Sequence, residues 1–346
     1  MKSTIPIQNI YYMFCYAWSK FASSEVIKVG SVDSPELIDL FAKVLLDAFS
    51  YLRRRGLDRG YVPTTDTLSV VRGKINLQGS IALRMRHTPQ LVCDFEEFAA
   101  DILTNQILKA TIRRLISTAN LDGNLKEKLR LVLKYFREVR DVRLSRQTFR
   151  SIQIHRNNSF YSFLMSICEL AFASTIPNEV GEGYSFSDPL RDDAKMALVF
   201  QDFVKHFLRI EQSEYKVTPL QLKWDAIGSD ENLAMFPTMR TDIHLEKQAE
   251  HVIVDTKFYR EALQTYHGKS SIHSGHLYQL FSYLKNAEAM SNEFLNAKGI
   301  LLYPAVGEKV SFEAVVQGHQ VQVRTINLDQ AWAGIRADLL NLLNPL

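Results

Sequence analysis

His251-Val-Ile-Val-Asp-Thr-Lys-Phe-Tyr259 is the stretch on which the fold turns. Val252-Ile-Val254 is a continuous apolar run suited to a strand buried on both faces, yet charge follows at once in Asp255-Thr-Lys257. Charged side chains rarely enter such a strand without a partner. Strand residues alternate between faces, so Asp255 and Lys257 project from the same one and their carboxylate and ammonium meet. The preceding strand signal, Met239-Arg-Thr-Asp-Ile-His-Leu245, carries Asp242, and a short turn through Gln248-Ala-Glu250 brings it alongside Asp255. Two carboxylates on neighbouring strands make a hard-oxygen site suited to Mg²⁺, which retains water in its shell. A cation there acidifies a bound water and stabilises charge on a phosphoryl oxygen, while Lys257 orients or deprotonates that water. In-line hydrolysis of a phosphodiester is the chemistry this set fits. Taken alone, an Asp-x-Lys triplet is often only a salt bridge. Asp242 adds weight, and so does Tyr278-Gln279-Leu-Phe-Ser-Tyr283, where Gln279 and Tyr283 stand four apart on one helix face.

Outward from that centre, the second half alternates. A helix at about 190–211 precedes a loop around Trp224 and Asp225, the two strand signals, a helix at 274–290, a buried strand at 299–304, another at 321–326 and a closing helix near 329–343. This predicts an α/β domain with a mixed sheet flanked by helices. The first half carries helical spacing at 35–53, 101–119, 124–138 and 159–173. Alternation from Leu68 to Leu77, with Gly73 and then Gly79, predicts a β-hairpin insertion, basic at its edges through Arg72, Lys74, Arg84 and Arg86. Pro177, Gly181, Gly183 and Pro189 crowd one irregular stretch, which places the boundary between an α-rich domain at 1–175 and the α/β domain at 176–346.

A chain of 346 residues, 46% hydrophobic, buries a sizeable core, and disorder is excluded on composition. Nothing near Met1–Trp18 reads as a secretory signal, and no apolar run spans a bilayer, so a soluble, cytoplasmic chain is expected. Cys15, Cys93 and Cys168 lie far apart, with no zinc-ligand spacing, and read as buried thiols. The net charge of +3 hides an asymmetry: residues 1–175 hold 25 Lys+Arg against 16 Asp+Glu, and residues 176–346 hold 16 against 22. A basic half facing something anionic follows. Between Lys126 and Arg156, ten basic residues oppose three acidic ones, with Tyr135 and Phe136 interleaved; DNA backbone contact and a merely basic helix face are both open. The aromatic cluster Tyr11, Tyr12, Tyr16 and Trp18 is assigned to the core. There is no phosphate-binding G-x-x-x-x-G-K-[ST] loop, so the chain is not expected to bind nucleotide itself.

Asp242, Asp255-x-Lys257 and Gln279-x-x-x-Tyr283 in that order resemble the PD-(D/E)xK nuclease superfamily, with the glutamine–tyrosine extension of its RecB-like branch. The whole chain resembles the McrC family, the nuclease subunits of McrBC modification-dependent restriction systems. Asn9-Ile-Tyr-Tyr-Met-Phe-Cys-Tyr-Ala-Trp18, Arg72-Gly-Lys-Ile75, Asn105-Gln-Ile-Leu-Lys109, Leu222-Lys-Trp-Asp225, Arg240-Thr-Asp-Ile243, Ile253–Tyr259 and Leu277-Tyr-Gln-Leu280 carry that likeness over nearly the full length. The resemblance implies a restriction-endonuclease-like fold, Asp242 and Asp255 as ligands of Mg²⁺ (or Mn²⁺ in its place), Lys257 as the catalytic lysine and Gln279 in support. It further implies an McrB-like hexameric AAA+ GTPase as partner, stimulated by the amino-terminal region, double-stranded DNA with modified cytosine as substrate, and self-association bridging two motor rings. The basic hairpin at 70–90 is the choice for docking. One departure stands out: Gln201 occupies the helix position where superfamily members often carry glutamate, so a looser or single metal is expected. Two rivals are a non-catalytic assembly subunit that only activates the motor and a stand-alone, structure-selective nuclease.

Overall fold

A computed structural model describes residues 5–18, 36–85, 89–154, 158–178, 183–188, 192–258, 263–266, 269–306 and 310–344. Their contacts divide them into two compact units, one over Glu36–Ser187 and one from Asp188 onward that also includes the amino-terminal helix.

The Asp188 unit is built on a six-stranded mixed sheet. Its strands are β6 (Lys216–Thr218), β9 (Ile243–Lys247), β10 (Glu250–Thr256), β13 (Lys298–Ala305), β14 (Ser311–Val316) and β15 (His319–Asn327), in the order β14-β15-β13-β10-β9-β6. The β10, β13 and β15 strands run parallel, and β6, β9 and β14 pair antiparallel at the margins. Central parallel strands are covered on both faces, which explains the unbroken Val252-Ile-Val254 run. Period-two alternation splits that run. Val252 and Val254 join a cluster with Phe200, Phe203, Val204 and Phe207 of a long helix (Asp193–Glu211), whereas Ile253 packs with Leu280, Tyr283 and Leu284 of the helix Ser274–Met290. The latter helix approaches the sheet closely at Gly299, where an added Cβ would lie 2.9 Å from Leu284 Cδ1 and 3.0 Å from Leu280 Cδ2. Gly299→Ala is therefore expected to lower stability by about 1–2 kcal/mol, read by urea denaturation; an unchanged midpoint would mean the helix is free to back away.

The helix Ile7–Ala17 joins this unit, not the one to which residues 1–175 were assigned by sequence. Met13, Tyr16 and Ala17, at i, i+3 and i+4, pack on Phe200, Phe203 and Phe207, with Tyr16 stacked on Trp332 at 5.6 Å. Asn9 donates to the carbonyls of Leu328 (2.9 Å) and Gln330 (2.8 Å), and the Tyr16 hydroxyl donates to Glu211 at 2.6 Å. Tyr11 and Tyr16 are buried, as core residues should be. The boundary also moves, to Ser187/Asp188, because the short hairpin Thr175–Pro177 with Tyr184–Phe186 pairs back onto the first unit through Thr118.

The Glu36–Ser187 unit contains the four expected helices, at Leu37–Arg55, Leu103–Ile116, Gly123–Leu133 and Ser159–Ala173. The predicted hairpin at 68–77 is corrected. Its strands lie elsewhere, at β1 (Gly60–Leu68) and β3 (Leu91–Ala99), with β2 reduced to Lys74–Ile75 in the order β1-β3-β2 and a helix at Leu77–Arg84 between β2 and β3. Asn76 causes the switch: its side chain caps that helix by accepting from Gly79 N at 3.0 Å and donates to Asp94 at 3.2 Å. Gly73 (φ 68°) lies so close to β3 that a Cβ would meet Asp94 O at 2.5 Å. Pro63 disguises β1 in the sequence, yet it sits on an edge strand, where no ladder donor is required. All three cysteines are free and buried. Among the described residues, no helix is long and apolar enough to cross a membrane.

Candidate functional site

The site forms where β10 ends. Asp255 pairs with Leu301 of β13 and is fully buried; beyond it, the Lys257 N–H donates to Leu302 O at 2.9 Å, which keeps the chain extended and holds Lys257 on the face of Asp255. Lys257 Nζ lies 2.8 Å from Asp255 Oδ2 and donates to Gln279 Oε1, also at 2.8 Å. Gln279 Nε2 donates in turn to the Tyr283 hydroxyl at 2.8 Å. The ammonium can only donate, so it takes the Oε1 end of the amide, and the hydroxyl of the buried Tyr283 accepts from the other end. Lys257, Gln279 and Tyr283 thus form one chain of hydrogen bonds running from the strand end to the helix Ser274–Met290.

Asp242 does not lie within a strand. The sequence signal at 239–245 breaks into β8 (Met239–Arg240), paired with β7 (Gln221–Leu222), and β9, because Thr241 turns to exchange two hydrogen bonds with Leu220. Asp242 sits in that break. Its Oδ2 accepts from both the N–H and the hydroxyl of Thr256, each at 2.8 Å, which ties it to the residue between Asp255 and Lys257.

Asp255 is the electrostatic anomaly. Burial pushes its carboxyl up to about 6; Lys257 pulls against this, and the negative charge of Asp242 adds to it. Apart from the ion pair with Lys257, neither oxygen of Asp255 accepts an aligned hydrogen bond. A buried carboxylate left so poorly satisfied is costly unless a positive charge joins it. The donor set fits a hard cation: two carboxylates from the protein, with water and substrate oxygens to complete the shell. Among the described residues no group of three or more His, Cys, Asp or Glu converges, and the acids they bring to the site are Asp242 and Asp255.

The structure thus brings Asp242, Asp255, Lys257, Gln279 and Tyr283 together. Gln201 lies on the helix that covers the Val252/Val254 face, and no hydrogen bond joins it to any of them. Arg72 is spent on Phe95, its guanidinium 4.1 Å from the ring centroid. Lys74 lies opposite Asp94 on β3, Arg84 is exposed in the last turn of Leu77–Arg84, and Arg86 lies outside the described residues. The sequence reading misses His276. It precedes Gln279 by three residues, is buried, and holds Nδ1 2.9 Å from the Tyr303 hydroxyl; burial and then Lys257 push its pKa down to about 4, so it is neutral. The i, i+3, i+7 spacing of His276, Gln279 and Tyr283 is the signal that marks it.

Residues 7–304 match the family of McrBC 5-methylcytosine restriction system components. The chain is 30% identical over 341 residues to the type IV methyl-directed restriction enzyme EcoKMcrBC of Escherichia coli (strain K12), spanning 98% of this chain and 97% of that protein. Its fold resembles a chain in the half-complex from the tetradecameric assembly of Thermococcus gammatolerans McrB AAA+ hexamers with bound McrC. That match has a TM-score of 0.60 and 16% identity, over 98% of this chain and 76% of the other.

Proposed function

The chain belongs to the family of McrBC 5-methylcytosine restriction system components, and on that premise we propose that it is the McrC-like nuclease subunit, hydrolysing DNA phosphodiesters at Asp242, Asp255 and Lys257. The observation that carries this reading is the buried, poorly satisfied carboxylate of Asp255 set against a lysine whose direction two further side chains fix. A subunit that only activated a motor would gain nothing from keeping that acid, since an apolar residue there would be at least as stable.

Mg²⁺, or Mn²⁺ in its place, held by Asp242 and Asp255, would set positive charge against the phosphate oxygens and make a bound water more acidic. The rest falls to the chain itself. Thr256 holds Asp242 at the strand end through two hydrogen bonds, so the two carboxylates stay together without rotamer search. Lys257 presents its ammonium beside Asp255, where it stabilises charge building on the phosphate in the transition state. Gln279 and Tyr283 restrain that ammonium. Gln279→Leu is expected to reduce cleavage by about 10–100-fold with little change in melting temperature, whereas Gln279→Glu, which keeps an acceptor, recovers part of it; equal rates for the leucine variant and the wild type would remove Gln279 from the site.

The partner in this proposal is an McrB-like AAA+ GTPase and the substrate is double-stranded DNA with modified cytosine; in support, the family is described as 5-methylcytosine restriction system components, one relative as a methyl-directed restriction enzyme, and the similar assembly as McrB AAA+ hexamers with bound McrC. The test combines the chain with the cognate GTPase, Mg²⁺, GTP and methylated or unmodified plasmid. Cleavage of the methylated plasmid alone, dependent on both proteins, supports the proposal. Cleavage by the chain on its own would favour a stand-alone nuclease, and no cutting under any divalent cation, with motor stimulation intact, would favour the non-catalytic reading.

A further inference from the structure

In the Glu36–Ser187 unit, Leu37–Arg55 and Gly123–Leu133 frame a groove of about 540 Å³. Lys43, Leu46, Ser50 and Arg53, at i, i+3, i+7 and i+10, line one wall; Lys128, Leu131, Lys134 and Tyr135 line the other. Lys43 is already paired with Asp47 at 3.4 Å. Arg53, Lys128 and Lys134 have no carboxylate partner among the described residues, so three cations face one hollow unneutralised. Tyr135 stands over them, 55% exposed, its ring 5.0 Å from the buried Phe49 and tilted by 54°.

We infer that this groove is a landing site for the phosphate backbone of nucleic acid, distinct from the cutting centre. Unpaired Lys and Arg are what phosphate neutralisation needs, and a half-exposed ring held by a second aromatic gives an unpaired base or a sugar a face to rest on. An acidic amphipathic helix is the competing occupant. It requires a continuous apolar trough with anchors at successive turns, and here Phe49 and Val132 are buried against the fold, leaving Leu131 and Tyr135 as the exposed apolar side chains of the groove. Leu46 and Leu125 are half-buried beside them, so apolar surface and charge share the groove, and it is the three cations without a carboxylate partner that favour the polyanion. The inference shares with the proposed function only the premise that the substrate is nucleic acid.

The test is fluorescence anisotropy with the full chain, carrying Lys257→Ala so that the DNA stays whole, against a labelled 40-base-pair duplex and a 20-nucleotide single strand. Adding Arg53→Ala, Lys128→Ala and Lys134→Ala together is expected to weaken binding at least ~10-fold at about 0.1 M salt and to flatten the slope of log K against log salt by roughly 2–3. Tyr135→Ala should weaken the single strand more than the duplex. A melting temperature near that of the parent and retained stimulation of the partner GTPase confirm that the triple variant folds. Unchanged affinity and slope would overturn the inference, as would unchanged DNA affinity with lost stimulation, which would mark the groove as a protein-docking site. Should the wild-type chain cut nothing while the triple variant loses DNA, the nuclease reading fails and the groove stands. The opposite pattern, intact cutting with no loss of binding, leaves the nuclease and removes the groove.

Discussion

Asp255→Asn is expected to lower DNA cleavage by the assembled complex at least ~10³-fold and, at the same time, to raise the stability of the isolated, metal-free chain by about 1–2 kcal/mol. The first effect follows from removing one of two anionic donors. In the proposed site several kcal/mol of charge stabilisation in the transition state would depend on the cation that both acids would hold, and each 1.36 kcal/mol is about tenfold in rate. The second follows from burial. A carboxyl raised from its ordinary value of 3.8 to about 6 is disfavoured as an anion in the folded chain, and at neutral pH that disfavour weighs on the folded state. Asparagine keeps the shape and drops the charge. It recovers only part of the penalty, because its amide inherits the same shortage of aligned partners. Lys257 loses its ion partner but keeps Gln279. Plasmid cleavage and thermal melts on the same preparation check both halves. A variant that cuts within tenfold of wild type would remove Asp255 from the chemistry; one that melts lower would mean the acid is better solvated than its surroundings indicate.

The coupling of a functional gain to a structural cost also explains what the sequence could and could not reveal. Val252–Lys257 is legible because its apolar run and its charges contradict one another locally, and the resolution of that contradiction is the site. The helix Ser274–Met290 matches the predicted span end to end, since Ser274 follows a strand and the apolar spacing is regular. Asp242 was readable as a residue and not as a geometry: its position in a break depends on Thr241 bonding to Leu220, 21 residues away. The attachment of Ile7–Ala17 to the Asp188 unit rests on Asn9 bonds that span more than 300 residues, and no local pattern reports such a contact. β14 was missed for a different reason. Its turn, Gln317-Gly318, has both residues at positive φ, the geometry of a two-residue hairpin, and Gln-Gly is a weaker signal than Asn-Gly.

The second large effect concerns acid stability and a histidine pair remote from the hydrogen-bond chain at Lys257. His244 of β9 and His251 of β10 are buried, their rings stacked at 5.3 Å, with His244 Nε2 3.0 Å from His251 Nδ1 and Phe294 packed 4.4 Å from the His251 ring. One of those nitrogens must donate to the other, so the contact tolerates one shared proton and resists a second. Burial, then His251, push His244 down to about 4; Glu246 on the same strand opposes this, and Lys216 on β6 reinforces it. Below its unfolded value of 6.5 the unfolded chain takes up a proton that the folded chain refuses, so stability is held above pH 6.5 and lost as pH falls toward 4, by about 3 kcal/mol in all. Asp255 works in the opposite direction over much of that window, which makes the Asp255→Asn chain the right background. In that background, His244→Gln is expected to flatten the decline of urea-derived stability between pH 6.5 and 4 by most of those 3 kcal/mol, at the cost of a lower plateau at neutral pH. Parallel acid limbs in the two proteins would show that His244 is as free to take up a proton in the folded chain as in the unfolded one.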